Sequence, residues 1–107
     1  NKLYYFVLQL NPKDPRFPFS YAASFHKLKK YQDAVTYYII AGSVAPDDPL
    51  PWFHCADCYI KINELDVAKV MLEKTIIVSG DSLDHERIKQ QASAIISVIE
   101  TAQNGSK

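Results

Sequence analysis

Only two cysteines occur in the 107 residues, three positions apart. That excludes a disulfide framework and favours a reducing compartment. Three glycines leave no glycine-rich loop to cradle a phosphate. Neither sign of charge is in excess, with twelve Lys and Arg against twelve Asp and Glu. No basic stripe therefore advertises nucleic acid, and no polybasic run advertises an anionic membrane. No apolar run is long enough to cross a bilayer. The opening stretch NKLYYFVLQLNP is apolar, but it has polar breaks and lacks a small-residue cleavage pattern, so it reads as structure rather than a leader. What the chain does have is hydrophobic mass, 48% of its residues, which suits one domain with a real core.

A period organises that mass. DPRFPF at residues 14–19 returns as DPLPWF at residues 48–53. Shifted by 34 residues, Asp14 falls on Asp48, Pro15 on Pro49, Phe19 on Phe53, Ala22 on Ala56 and Ala34 on Ala68. This period is about that of the tetratricopeptide repeat, a pair of antiparallel helices. The spacing predicts helices over 17–28, 32–45, 51–62 and 66–79. The small residues Ala22, Ala56, Ala34 and Ala68 mark the close crossings, and Phe25, Tyr31, Tyr38, Tyr59, Leu65 and Leu72 fill the space around them. Pro18 belongs in a first helical turn, where its missing N–H costs no hydrogen bond. Asp33 and Asp66 open the second helices, where negative charge suits the dipole. Pro46 and Gly80 close them.

The same shift extends backwards, Tyr4 onto Tyr38 and Pro12 onto Pro46. Residues 1–12 thus read as the second half of a truncated repeat, expected to expose Leu3, Phe6 and Leu10 and to drive self-association. After Gly80 the spacing changes. Leu83, Ile88, Ala92, Ile95, Ile96 and Ile99 form one apolar stripe, with Lys89, Gln90, Ser93 and Ser97 opposite and Asp81 or Ser82 as candidate cap. A single amphipathic helix over 82–103 would cover the last repeat's bare face. Residues 104–107 read as a disordered tail. The fold expected is all-α: tetratricopeptide hairpins in a right-handed solenoid, closed by a C-terminal capping helix.

The Asp-Pro openings, the Ala22-Ala23 pair, the run from Trp52 to Tyr59 and the stretch DPLPWFHCADCYIKINELDVAKVML closely resemble the class II chaperones of bacterial type III secretion, which bind translocator proteins. The resemblance covers nearly the whole chain and implies the end of one repeat, two full repeats and a cap. It implies a cytoplasmic protein that holds an extended translocator segment, with small apolar residues and prolines at spaced positions, in its concave face. The region that family often uses for dimerisation is not in this chain, and Ser24 stands where many members carry an acidic residue or cysteine.

Cys55 and Cys58 form a C-x-x-C, but no second ligand pair accompanies them, so packing is the better reading. His26, His54 and His85 have no partner at an informative spacing for acid–base catalysis. In a repeat solenoid the first helices line the concave surface. Arg16, Phe19, Ser20, Ala23, His26 and Lys27 should face it in the first unit, and Leu50, Phe53, His54, Asp57, Ile60 and Lys61 in the second. These twelve are the candidate peptide-binding residues. Lys27, Lys29 and Lys30 place cations at a helix C-terminus, where they suit the dipole.

No catalytic site, metal or other cofactor is expected. The partner expected is a secreted translocator protein, with a homodimer as a further option. The alternatives are a chaperone for a needle subunit and an adaptor that joins proteins through its repeat faces. Repeats that grip the terminal carboxylate of heat-shock chaperones use asparagines where Ala23 and Asp57 stand here, and Asp57 would repel that ligand.

Overall fold

The computed structural model describes residues 16–105, with side chains from 17 to 104. The N-terminal half-repeat at residues 1–12, with its expected self-association, lies outside the described residues, as do Asp14 and Pro15. Among the described residues five α-helices follow one another: α1 (Arg16–Lys27), α2 (Tyr31–Val44), α3 (Leu50–Lys61), α4 (Leu65–Ser79) and α5 (Glu86–Gly105). The described residues contain no strand. Each helix packs chiefly on its neighbours in the chain, and α3 also reaches α5. The result is a flat slab of 48 × 31 × 17 Å, the shape expected when hairpins stack in one direction.

The two hairpins turn by the same device. Lys29 and Asn63 both take φ of 63°. Around the first, Lys30 N–H bonds Phe25 O at 2.9 Å and Lys29 N–H bonds His26 O at 3.1 Å. Around the second, Glu64 N–H bonds Tyr59 O at 2.8 Å and Asn63 N–H bonds Ile60 O at 3.0 Å. This is a Schellman closure, which satisfies carbonyls that a helix end leaves without partners. Asparagine tolerates the left-handed conformation well and lysine less so. Pro46 biases Ala45 away from the helical region, so α2 stops at Val44. At the matching position Gly80, with φ of 54°, terminates α4. Asp48 Oδ1 accepts the Leu50 N–H at 3.0 Å and ties the entry to α3, with Pro51 inside the first turn.

Ala22, Ala34, Ala56 and Ala68 are all fully buried, as the close crossings require. Around the first pair lie Val35, Tyr37, Tyr38, Cys55 and Cys58. Phe25 stacks on Tyr37 at 5.2 Å. Around the second pair lie Leu72, Ala92 and Ile99. Both cysteines are free and fully buried, and burial pushes each thiol up to about 12.

The capping region departs from the sequence reading in three places. A 3₁₀ turn, Leu83–His85, precedes α5, and Ser82 makes no side-chain capping bond to it. Leu83 is 89% exposed and so leaves the apolar stripe. The helix also runs on through Asn104 and Gly105, into the segment read as a tail. Lys69–Glu100 at 3.7 Å and Gln103 Nε2–Asp66 Oδ1 at 2.8 Å fasten its far half to α4, which gives those last turns a reason to form.

Candidate functional site

The hairpin geometry brings the first helices, α1 and α3, side by side, and α5 takes the next place along. Their shared face carries three adjoining cavities. One of about 320 Å³ is lined by Phe19, Ala23, His26, Lys27, Tyr38 and His54. A second, of about 300 Å³, is lined by Phe53, His54, Asp57, Ile60, Leu72 and Ile95. A third, of about 350 Å³, lies towards the cap, between Asp48, Pro49, Leu50, Phe53 and His54 on one side and Asp84, His85, Arg87, Ile88 and Gln91 on the other. His54 belongs to all three, so they form one continuous groove.

Of the twelve expected residues, Phe19, Ala23, His26, Lys27, Leu50, Phe53, His54, Asp57 and Ile60 line this groove. Ser20 and Lys61 are exposed on the same helices but line none of the three cavities. Arg16 opens α1, and its side chain lies outside the described residues. Phe19 and Phe53 are half-buried: each shows part of its ring to the groove and packs the rest against the core.

At the centre the aromatic rings interlock. His54 stacks on Tyr38 at 5.6 Å and 24°. Phe19 and Phe53 meet His54 edge-on at 5.8 and 5.9 Å, from α1 and from its own helix. Beside this group runs a polar relay through three helices. His26 Nδ1 lies 3.0 Å from Tyr38 Oη, and His26 Nε2 lies 2.7 Å from Asp57 Oδ2. A carboxylate only accepts, so Nε2 carries the hydrogen towards Asp57. Nδ1 bonds the Tyr38 hydroxyl, which can donate to a bare nitrogen or accept from a protonated one. The sequence reading left the histidines without a carboxylate partner. The structure supplies one, because His26 and Asp57 stand on the first helices of adjacent hairpins and meet only when these stack.

Desolvation dominates the electrostatics here. Burial holds His54 below its ordinary value, with neighbouring His26 adding to the effect and Asp57 and Asp48 opposing it. Burial likewise raises the Tyr38 hydroxyl, with Cys58 and Asp57 adding to it, so it stays neutral. The groove centre thus presents aromatic rings around one acidic side chain, Asp57, paired with His26.

The cap's contribution was missed in the sequence, although the signal existed. Arg87, Ile88 and Gln91 stand 34 residues after Phe53, His54 and Asp57, so the repeat register runs on into α5. The repeat register places Tyr38 in the core. It is 2% exposed, yet it floors a groove cavity and supplies the relay's hydroxyl.

A family profile described as tetratricopeptide repeat matches residues 17–41. No curated protein sequence matches the chain. Among solved structures, PcrH in complex with the chaperone binding region of PopD superposes with a TM-score of 0.86 at 20% identity, covering 95% of this chain and 77% of that one. PcrH has also been solved from Pseudomonas aeruginosa. The Yersinia enterocolitica type III secretion translocator chaperone SycD superposes with a TM-score of 0.86 at 19% identity, covering 96% and 71%. SycD in complex with a peptide of the translocator YopD gives 0.86 at 20%, covering 95% and 78%. The chain has the tetratricopeptide-repeat fold that PcrH and the translocator chaperone SycD share.

Proposed function

We propose that this chain is a chaperone of bacterial type III secretion, working in the cytoplasm and holding an extended segment of a translocator protein in the groove along α1, α3 and α5. The observation that carries this reading is the groove itself: three adjoining cavities along α1, α3 and α5, in a fold whose solved examples include complexes with segments of PopD, PopB and YopD. Spaced cavities suit spaced side chains on an extended chain. Covering those side chains before export would prevent aggregation and premature membrane insertion. The work is binding rather than catalysis, and no nucleotide is called for. Among the described residues no helix is long and apolar enough to cross a membrane.

The test is calorimetric titration of the protein with the chaperone binding region of PopD and with the YopD peptide. Ordering a flexible segment should hold affinity near micromolar. Absence of binding to both, together with co-purification of a needle subunit or of an unrelated assembly from the native cell, would replace this reading by a needle-subunit chaperone or an adaptor.

A further inference from the structure

The cavity between α3, α4 and α5 has apolar walls made by Phe53, Ile60, Leu72 and Ile95. Its one acidic group is Asp57, and burial holds the neighbouring His54 below its ordinary value. Asp57 Oδ2 is occupied by His26 Nε2 at 2.7 Å. Oδ1 has no partner among the described residues. Lys61, one turn further along α3, is exposed and makes no ion pair with Asp57. The Asp57 side chain keeps 41% of its exposure, so Oδ1 is reachable from the groove.

A purely apolar side chain entering this cavity would strip water from Oδ1 and return nothing, and desolvating a carboxylate without a donor is unfavourable. A side chain with an apolar stem and a cationic tip meets both demands. Its stem covers Phe53, Ile60 and Ile95, and its N–H groups bond the carboxylate. The relay from Tyr38 through His26 holds Oδ2, which fixes the orientation of Oδ1 before the ligand arrives.

We propose that this cavity is a subsite for a lysine or arginine side chain of the bound segment, with Asp57 as its specificity-determining residue. The proposal rests on the peptide-binding reading above and sharpens it. The segment would place a basic residue beside the apolar one received by the cavity of Phe19, Ala23 and Tyr38.

The test uses an array of the PopD chaperone binding region in which each position is replaced in turn by lysine and by norleucine, which keeps the four-carbon stem and lacks the ammonium. Binding is read on the wild-type protein and on Asp57→Asn, which keeps an acceptor for His26. The expected result is one position where lysine binds about tenfold or more tightly than norleucine on the wild type. That ratio should fall to about one on Asp57→Asn and shrink with added salt, while norleucine affinities hold. Three results overturn the proposal: no position preferring lysine, a preference that survives in Asp57→Asn, or an equal loss for every peptide on Asp57→Asn, which would make Asp57 an acceptor for backbone N–H. No binding by any member of the array would instead sink the peptide-binding reading, and this subsite with it.

Discussion

Gly42 lies directly under Trp52. A Cβ built on the glycine would stand 2.5 Å from Trp52 Cε2, far inside van der Waals contact. Trp52 is buried, and Lys74 Nζ sits 4.6 Å from the ring centroid on α4. The two hairpins therefore close over a contact that admits no side chain at Gly42. In an unconstrained helix, Gly→Ala stabilises by roughly 1 kcal/mol. Here the sign should reverse, with Gly42→Ala destabilising by about 1–3 kcal/mol through overpacking. Urea denaturation followed by Trp52 fluorescence measures it, and a variant as stable as wild type would refute the contact.

Lys29 holds a left-handed backbone that its counterpart Asn63 adopts more readily. Lys29→Asn should stabilise by up to about 1 kcal/mol, since the turn is kept and strain is relieved. A lower thermal midpoint would mean that the lysine side chain contributes something that its exposed position does not reveal.

His54 makes stability pH-dependent in a definite direction. Burial and His26 hold its folded value below the ordinary 6.5. As pH falls, the unfolded chain takes up the proton first, so acid favours unfolding. The stabilisation is complete above about 6.5, is lost as pH falls through the window down to the depressed folded value, and changes no further below that. Thermal midpoints taken from about pH 8 to about pH 5 should decline in that window. In His54→Gln the decline attributable to this residue should vanish, and an identical profile in both proteins would contradict the assignment.

Cys55 and Cys58, fully buried with thiols pushed up to about 12, should resist a thiol-specific reagent in the native protein at about pH 8. Both should react at once in denaturant. Rapid native labelling would show that α3 opens locally.

Phe53 borders two of the three cavities. Phe53→Ala should weaken binding of the PopD chaperone binding region by about 1–3 kcal/mol, the usual effect of truncating an aromatic anchor. Circular dichroism should remain helical. Unchanged affinity in both Phe53→Ala and Phe19→Ala would dismiss the groove as the binding surface.

Local periodicity made most of the fold legible. The helices begin and end within a residue of the spans that the 34-residue shift predicts, apart from the cap, because crossing alanines and turn residues recur at fixed offsets. The groove residues on α1 and α3 followed from the same register. The His26–Asp57 bond did not, since two side chains 31 positions apart carry no mutual signal until the hairpins stack. Exposed Leu83 shows the opposite failure, where helical spacing was read into a segment that is a 3₁₀ turn. The cap's place in the groove was hidden by function: a helix that covers a core on one face had no evident duty on the other.

That His26–Asp57 bond also has a mechanical meaning. It ties α1 to α3 on the groove face, while the hairpins join chiefly through α2 and α3. A tie on that face resists splaying of the two hairpins, as a bowstring resists the opening of a bow. The spacing between the Phe19 and Phe53 cavities along the groove is then set partly by this polar contact, together with the rings of Phe19 and His26 on His54, so a tightly seated ligand could strengthen it and a bulky one would strain it.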